Sequence, residues 1–215
     1  MAVTPAGLEP ATNPGFEAIQ RNWDPALERW TAKILPGEYY VAVDDESITT
    51  VLGSCISACI RDKELGVGGM NHFMLPEDTS DGRSSWLDKA TGLSNRYGSF
   101  AMESLINALL KRGAKRGRLE VKLFGGGRML AQMTDVGARN IAFVRHWLAM
   151  EGLRIAAEDL GSTVPRRVIY TPVTGKVMVK HLRPMESRVI ATREQDYLTS
   201  FRKKAAAEQA DIELF

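Results

Sequence analysis

The chain has 215 residues, with 28 Lys and Arg against 26 Asp and Glu, for a formal net charge of +2. Two cysteines, Cys55 and Cys59, supply neither a disulfide framework nor a four-cysteine zinc site, and the near-neutral charge gives no reason to expect nucleic-acid binding. Hydrophobic residues at 44% and charged residues at 25% are ordinary for a soluble globular chain, and the length suffices for one well-buried core. The first residues lack a basic segment followed by an apolar one, and no run reaches the roughly 18 apolar residues that span a bilayer. The expectation is a cytoplasmic protein without direct membrane insertion.

Residues 1–15 carry three of the nine prolines and read as a flexible arm. Phe16, Ile19, Trp23, Leu27 and Trp30 recur at spacings of three and four, which predicts an amphipathic helix ending at Pro36-Gly37. From Glu38 the period falls to two. Tyr39–Val43 and Ser47–Leu52 read as a hairpin around Asp44-Asp45-Glu46, followed by strands Ile56–Ile60 and Gly66–Met74 around a turn at Asp62–Leu65. The polar stretch from Pro76 to Tyr97 reads as a long surface loop. Ser99 is placed to cap a helix from Phe100 to Arg112, stopped by Gly113.

A strand through Leu119, Val121 and Leu123 leads to Gly125-Gly126-Gly127, and a second helix is predicted over 138–151. Strands follow at Arg154–Asp159, Val168–Thr171 and Lys176–His181, and the charged, Ala-rich end reads as a helix or tail. This pattern predicts an N-terminal arm and helix over 1–35, one α/β domain over 36–185 with mostly sequential strands, and a charged extension over 186–215.

The densest chemistry lies between Ser47 and Pro76. Cys55 follows a Gly-Ser turn after a strand, where a thiol is exposed beside free backbone N–H groups. His72 comes seventeen residues later (72 − 55), on a neighbouring strand, where it can hold Cys55 as a thiolate and later protonate a leaving group. The third member, orienting the imidazole, is sought on the strand before the turn. Alternation gives Thr49 the same parity as Cys55 and favours it, while a bend at Gly53-Ser54 keeps Thr50 open. Asn71, next to His72, faces the other way and is a poor partner for it. Cys59 sits in an apolar run and reads as packing. Cys55, Cys59 and His72 lack a fourth ligand at metal spacing, so no metal is expected. The glycines of LFGGGRML match no nucleotide-binding pattern and read as a backbone passing close to a site wall. Six basic residues between Lys111 and Lys122 form a candidate contact for an acidic partner.

The run LGSCISACIRDKELGVGGMNHFMLP resembles the signature of the chemoreceptor glutamine deamidase family, CheD, and RYG at 96–98, KLFGGGRM at 122–129 and VGARN at 136–140 follow in order. The resemblance covers about 38–182. It implies a layered α/β sandwich like that of the cysteine toxin deamidases, with Cys55 as nucleophile, His72 as base and Thr49 as orienting hydroxyl. Ser54, Asn71 and Gly126 are the expected supports of substrate and oxyanion. The implied reaction is hydrolysis of receptor glutamine side chains to glutamate through a thioester, without cofactor; the same apparatus could cleave a glutamyl methyl ester. The implied partners are the cytoplasmic helical domain of chemoreceptors and the receptor-pathway phosphatase CheC. The rival reading is a regulatory module that binds receptor or phosphatase without turnover.

Overall fold

The computed structural model describes residues 13–42, 44–75, 93–129, 136–183 and 186–212. Two five-stranded sheets and three long helices form three layers. The first sheet contains β1 (Gln20–Asp24), β2 (Arg29–Lys33), β4 (Ser47–Leu52), β9 (Arg166–Thr171) and β10 (Lys176–His181), in the order β1-β2-β4-β9-β10. The second contains β3 (Tyr39–Ala42), β5 (Ile56–Asp62), β6 (Gly68–Asn71), β7 (Leu119–Gly125) and β8 (Ile155–Leu160), in the order β3-β6-β5-β7-β8. Pairings are antiparallel except β2 with β4 and β7 with β8. The helices are α1 (Leu93–Lys111), α2 (Val136–Met150) and α3 (Ser187–Ile212).

The second sheet is the middle layer, and alternation along its strands divides the core in two. Val41, Ile56, Ala58, Ile60, Val121 and Leu123 face α1 and α2, whose contributions include Met102, Leu105, Leu109, Val144 and Leu148. The opposite parity, Tyr40, Ala42, Cys55, Cys59, Met70 and Phe124, packs against Ala32, Ile48, Leu52, Val168 and Tyr170 of the first sheet. Each fully buried aliphatic side chain contributes roughly 1.5–3 kcal/mol, so a sheet buried on both faces is held firmly in register. Such strands read as continuous apolar runs, which is how Ile56–Ile60 reads.

The structure corrects the helix predicted over 16–35. Residues 20–33 form an antiparallel hairpin with Trp23 opposite Trp30, their rings edge-on at 6.3 Å. A cross-strand pair separated by seven residues has the same spacing as two turns of helix. The turn decides between them: Asp24 Oδ1 accepts the N–H groups of Ala26 and Leu27, and Glu28 takes a left-handed φ of 52°. β2 then pairs with β4, so the hairpin completes the first sheet instead of standing outside the domain.

The hairpin predicted from Tyr39–Val43 and Ser47–Leu52 is also corrected. β3 pairs with β6 and β4 with β2 and β9, so the chain changes sheets between them. Buried Glu46 marks the corner, accepting from the Tyr40 hydroxyl at 2.6 Å and pairing with Arg21 at 3.1 Å. α1 begins at Leu93, which places Ser99 inside the helix and not at its cap, and the chain ends the helix through Gly113 at φ 89°. The arm predicted over 1–15 lies outside the described residues up to residue 12, as does the loop predicted from Pro76 to Tyr97 up to residue 92; its last residues, 93–97, are instead the first turn of α1. The stretch after His181 turns into α3, which lays Ile190, Ala191, Glu194 and Leu198 against the body of the protein.

Candidate active site

Cys55 stands where the chain crosses from the first sheet to the second, between the end of β4 and the start of β5. The crossing is fixed by backbone bonds: Gly126 N–H donates to the Cys55 carbonyl and Gly127 N–H to the Gly53 carbonyl, both at 2.7 Å. Gly125 takes φ +109°, and a Cβ there would collide with the Cys55 carbonyl oxygen, so this position requires glycine. The glycine run therefore braces the turn from behind. Gly126, expected to support substrate, acts through its bond to the Cys55 carbonyl and packs beside Ile141.

His72 follows β6 directly. Ile56 and Phe73 exchange backbone bonds of 2.8 and 2.9 Å, which makes them an antiparallel bridge. Residues one step away on either strand then share the other face, so Cys55 and His72 lie diagonally on the side toward the first sheet. Both are buried, His72 at 2% exposure.

The imidazole partner is Thr50, whose Oγ1 lies 2.8 Å from His72 Nδ1. Thr49, favoured by alternation and by the resemblance, instead donates to the Val168 carbonyl at 2.9 Å. Alternation carries over only along one continuous strand. Because β4 and β5 belong to different sheets, the Gly53–Cys55 crossing resets the parity, and the inward face of β4 carries Ile48, Thr50 and Leu52. Thr50 Oγ1 also donates to the Ile34 carbonyl at 2.8 Å. A hydroxyl has one proton, and a carbonyl can only accept, so Thr50 must accept from Nδ1–H. This fixes the tautomer and leaves Nε2 with a free lone pair. Nε2 is buried and, among the described residues, has no hydrogen-bond partner.

Asn71, expected to support substrate, is spent on structure. Its Oδ1 accepts Ala58 N–H at 2.8 Å and its Nδ2 donates to the Ala101 carbonyl at 3.1 Å, which ties β6 to β5 and α1. A residue unnoticed in the sequence, Asn140 of α2, fixes both ends of the site. Its Nδ2 donates to the Ser54 carbonyl at 2.8 Å and its Oδ1 accepts Leu75 N–H at 3.0 Å. In the sequence it appears only as the last residue of VGARN, with no role assigned, and in the structure it is fully buried.

The second unnoticed residue is Glu194 of α3. Its carboxylate accepts N–H groups from Gly53 and Ser54 at 2.9 Å each, from Cys55 at 3.3 Å, and the Ser54 hydroxyl at 2.6 Å. Ser54 thus holds the Glu194 carboxylate through both its N–H and its hydroxyl. The carboxylate, the Cys55 thiol and an imidazole nitrogen lie within 4.8 Å of one another. Three such donors can in general converge on a metal ion. Here both carboxylate oxygens already face four N–H and O–H donors, which is the arrangement of an anion hole.

Burial, then the Glu194 charge, pushes the Cys55 thiol well above its ordinary range, and burial lowers His72 to about 3. With Glu194 seated, the pair is a neutral thiol beside a neutral imidazole, and not the thiolate expected from the sequence. A cavity of about 300 Å³ reaches Thr50 and His72 beneath Ile190, Arg193 and Glu194 of α3. Cys59 packs between the sheets, and burial raises its thiol too.

The basic stretch lies elsewhere. Arg118 pairs with Asp62 at 2.5 Å, Arg116 with Glu151, and Lys122 donates to the Gly175 carbonyl at 2.8 Å. Asp62 ends β5, roughly 20 Å along the strand from Cys55. Arg116, Arg118 and Lys122 thus make contacts within the fold away from the thiol.

The profile of the family described as CheD chemotactic sensory transduction matches residues 74–181. A Hahella chejuensis protein named probable chemoreceptor glutamine deamidase CheD is 46% identical over 206 residues, covering 96% of this chain and 95% of its own. The protein of the same name from Halorhodospira halophila is 48% identical over 202 residues, covering 94% and 92%. That from Herminiimonas arsenicoxydans is 52% identical over 195 residues, covering 90% and 93%. At this identity, and over nearly the whole of each relative, the chain belongs to the CheD family.

Proposed function

We propose that this chain is a protein-glutamine deamidase that hydrolyses glutamine side chains of chemoreceptors to glutamate, with Cys55 as nucleophile, His72 as base and Thr50 as the positioning hydroxyl. The observation that carries the reading is the ordered hydrogen-bond chain from Ile34 through Thr50 to His72, which ends on a free Nε2 beside a thiol at an anion hole.

The substrate amide enters with its carbonyl oxygen toward the N–H groups of Gly53, Ser54 and Cys55. Nε2 takes the Cys55 proton as Sγ bonds to the amide carbon, and the oxygen gains negative charge where three donors already point. The imidazolium returns that proton to nitrogen as the C–N bond breaks and ammonia leaves. Water, deprotonated by the neutral imidazole, then attacks the thioester, and the C–S bond breaks to give glutamate and free thiol. Thr50 carries no charge, so it orients the ring without stabilising imidazolium as a carboxylate would.

The reading places the chain in the cytoplasm, with the cytoplasmic domain of a chemoreceptor as substrate and the CheC phosphatase as a second partner. Both cysteines are free and buried, and among the described residues no helix is long and apolar enough to cross a membrane. The test is mass spectrometry of a receptor cytoplasmic fragment after incubation with the protein. Each modified glutamine gains about one dalton, and Cys55→Ala abolishes the gain. A fragment that is bound but left unchanged by the wild type would refute the reading.

A further inference from the structure

α3 is a charged helix whose described side chains, 188–200, meet the body of the protein mainly on one face, with half-buried Tyr197 beside it hydrogen-bonded to Tyr97. Ile190, Ala191, Glu194 and Leu198 are buried, at successive spacings of one, three and four, while Thr192, Arg193, Gln195, Asp196, Thr199 and Ser200 lie off that face. At the centre of the buried face Glu194, 5% exposed, inserts its carboxylate into the donors that flank Cys55. Gly53 permits this approach, because a Cβ there would stand 2.9 Å from Glu194 Oε2. A surface helix anchored only by apolar contacts needs no carboxylate at a nucleophile. The chemistry of this one matches the proposed reaction: glutamate is what deamidation of glutamine leaves behind.

We propose that α3 is an internal product mimic: Glu194 occupies the place of the glutamate formed on the substrate, and the substrate segment enters as a helix by displacing α3 from the same cleft. This rests on the deamidase reading above. Glutamine and glutamate have the same length to Cδ, so a glutamine on a helix seated like α3 brings its amide carbon to Cys55 and its oxygen to the same N–H groups. The cleft also states what else the incoming helix carries. Positions four and three residues before the glutamine and four after it must be apolar or small, as Ile190, Ala191 and Leu198 are. With α3 seated, the thiol and imidazole are both buried and neutral; its departure opens the site and removes the Glu194 charge that opposes a thiolate. Free protein is thereby held in a resting state until a better-fitting helix competes.

The test converts the mimic into a substrate. In full-length Glu194→Gln, residue 194 presents an amide to Cys55 within its own chain. The α3 peptide should gain about one dalton at residue 194, or the intact chain should lose about 17 daltons if the internal thioester persists, and Glu194→Gln combined with Cys55→Ala should keep its amide. If the amide at position 194 stays unmodified while the same variant deamidates a receptor fragment, the inference is overturned and the function stands. If neither amide is changed, by this variant or by the wild type, both fall.

A second measurement is alkylation by iodoacetamide. Leu198→Asp should release α3 and speed modification of Cys55 by about tenfold or more, while Cys59 between the sheets stays unreactive. Cys55 reacting no faster, or only together with Cys59, contradicts the proposal.

Discussion

A threonine hydroxyl carries one proton, and at Thr50 that proton is committed to the Ile34 carbonyl. Everything the histidine does follows from this, because Nδ1 must then be the protonated nitrogen and Nε2 the basic one. Thr50→Val removes both bonds and frees the wrong tautomer, and kcat should fall roughly tenfold to a hundredfold. Thr50→Ser keeps the hydroxyl and should restore most of the rate, whereas Thr49→Val, which loses only a bond to Val168, should stay near wild type in the receptor-fragment assay. A shift of the kcat pH profile in Thr50→Val, reversed in Thr50→Ser, would separate positioning from a merely structural loss. His72 also writes itself into stability. Its folded value is about 3 against 6.5 for an ordinary imidazole, because burial disfavours the charged ring. Below pH 6.5 the unfolded chain binds a proton that the folded chain refuses, so this contribution to stability is full above 6.5 and declines as pH falls toward 3. Urea midpoints across that window should decline less steeply in His72→Gln than in wild type.

At the scale of elements, the spacing of Cys55 and His72 suggests that the two meet, while their roles come from the family resemblance, and the reason they meet is local. They sit at the ends of strands β5 and β6, which pair around the short Asp62 turn, so their relation is set by nearby sequence. The choice of Thr50 over Thr49 is not legible, because it depends on where the chain leaves one sheet for another, and nothing in the run TTVLGSC states that. Glu194 comes from 139 residues away, on a helix whose composition reads as solvated, so no local pattern could announce it. The same limit explains the first hairpin: the spacing of Trp23 and Trp30 satisfies a helix and a cross-strand pair alike, and only the turn at Asp24 separates them. Asn140 shows how one element can hold others. It bonds the nucleophile turn on one side and the segment after His72 on the other, so Asn140→Ala leaves a buried acceptor and a buried donor unpaired. The expected cost is about 2 kcal/mol or more, read as a lower urea midpoint, with receptor deamidation falling alongside.

Across the whole molecule, the layered α/β class is visible in the sequence because helix and strand periods alternate clearly after Glu38. The assignment of strands to two sheets is not, since β3 and β4 are equally apolar and adjacent in the chain. The middle sheet, buried on both faces, gives a rigid frame on which the thiol, the imidazole and the donor turn meet at the seam between sheets. That seam is where the proposed chemistry requires a covalent intermediate on Cys55. The direct measurement is acid quench of the wild-type protein with a receptor fragment during turnover, followed by denaturing mass spectrometry of the intact chains. The expected result is a transient adduct of the two polypeptides less one ammonia, mapped to Cys55 and absent in Cys55→Ala. Continued deamidation by Cys55→Ala, or an adduct mapped to another residue, would contradict it.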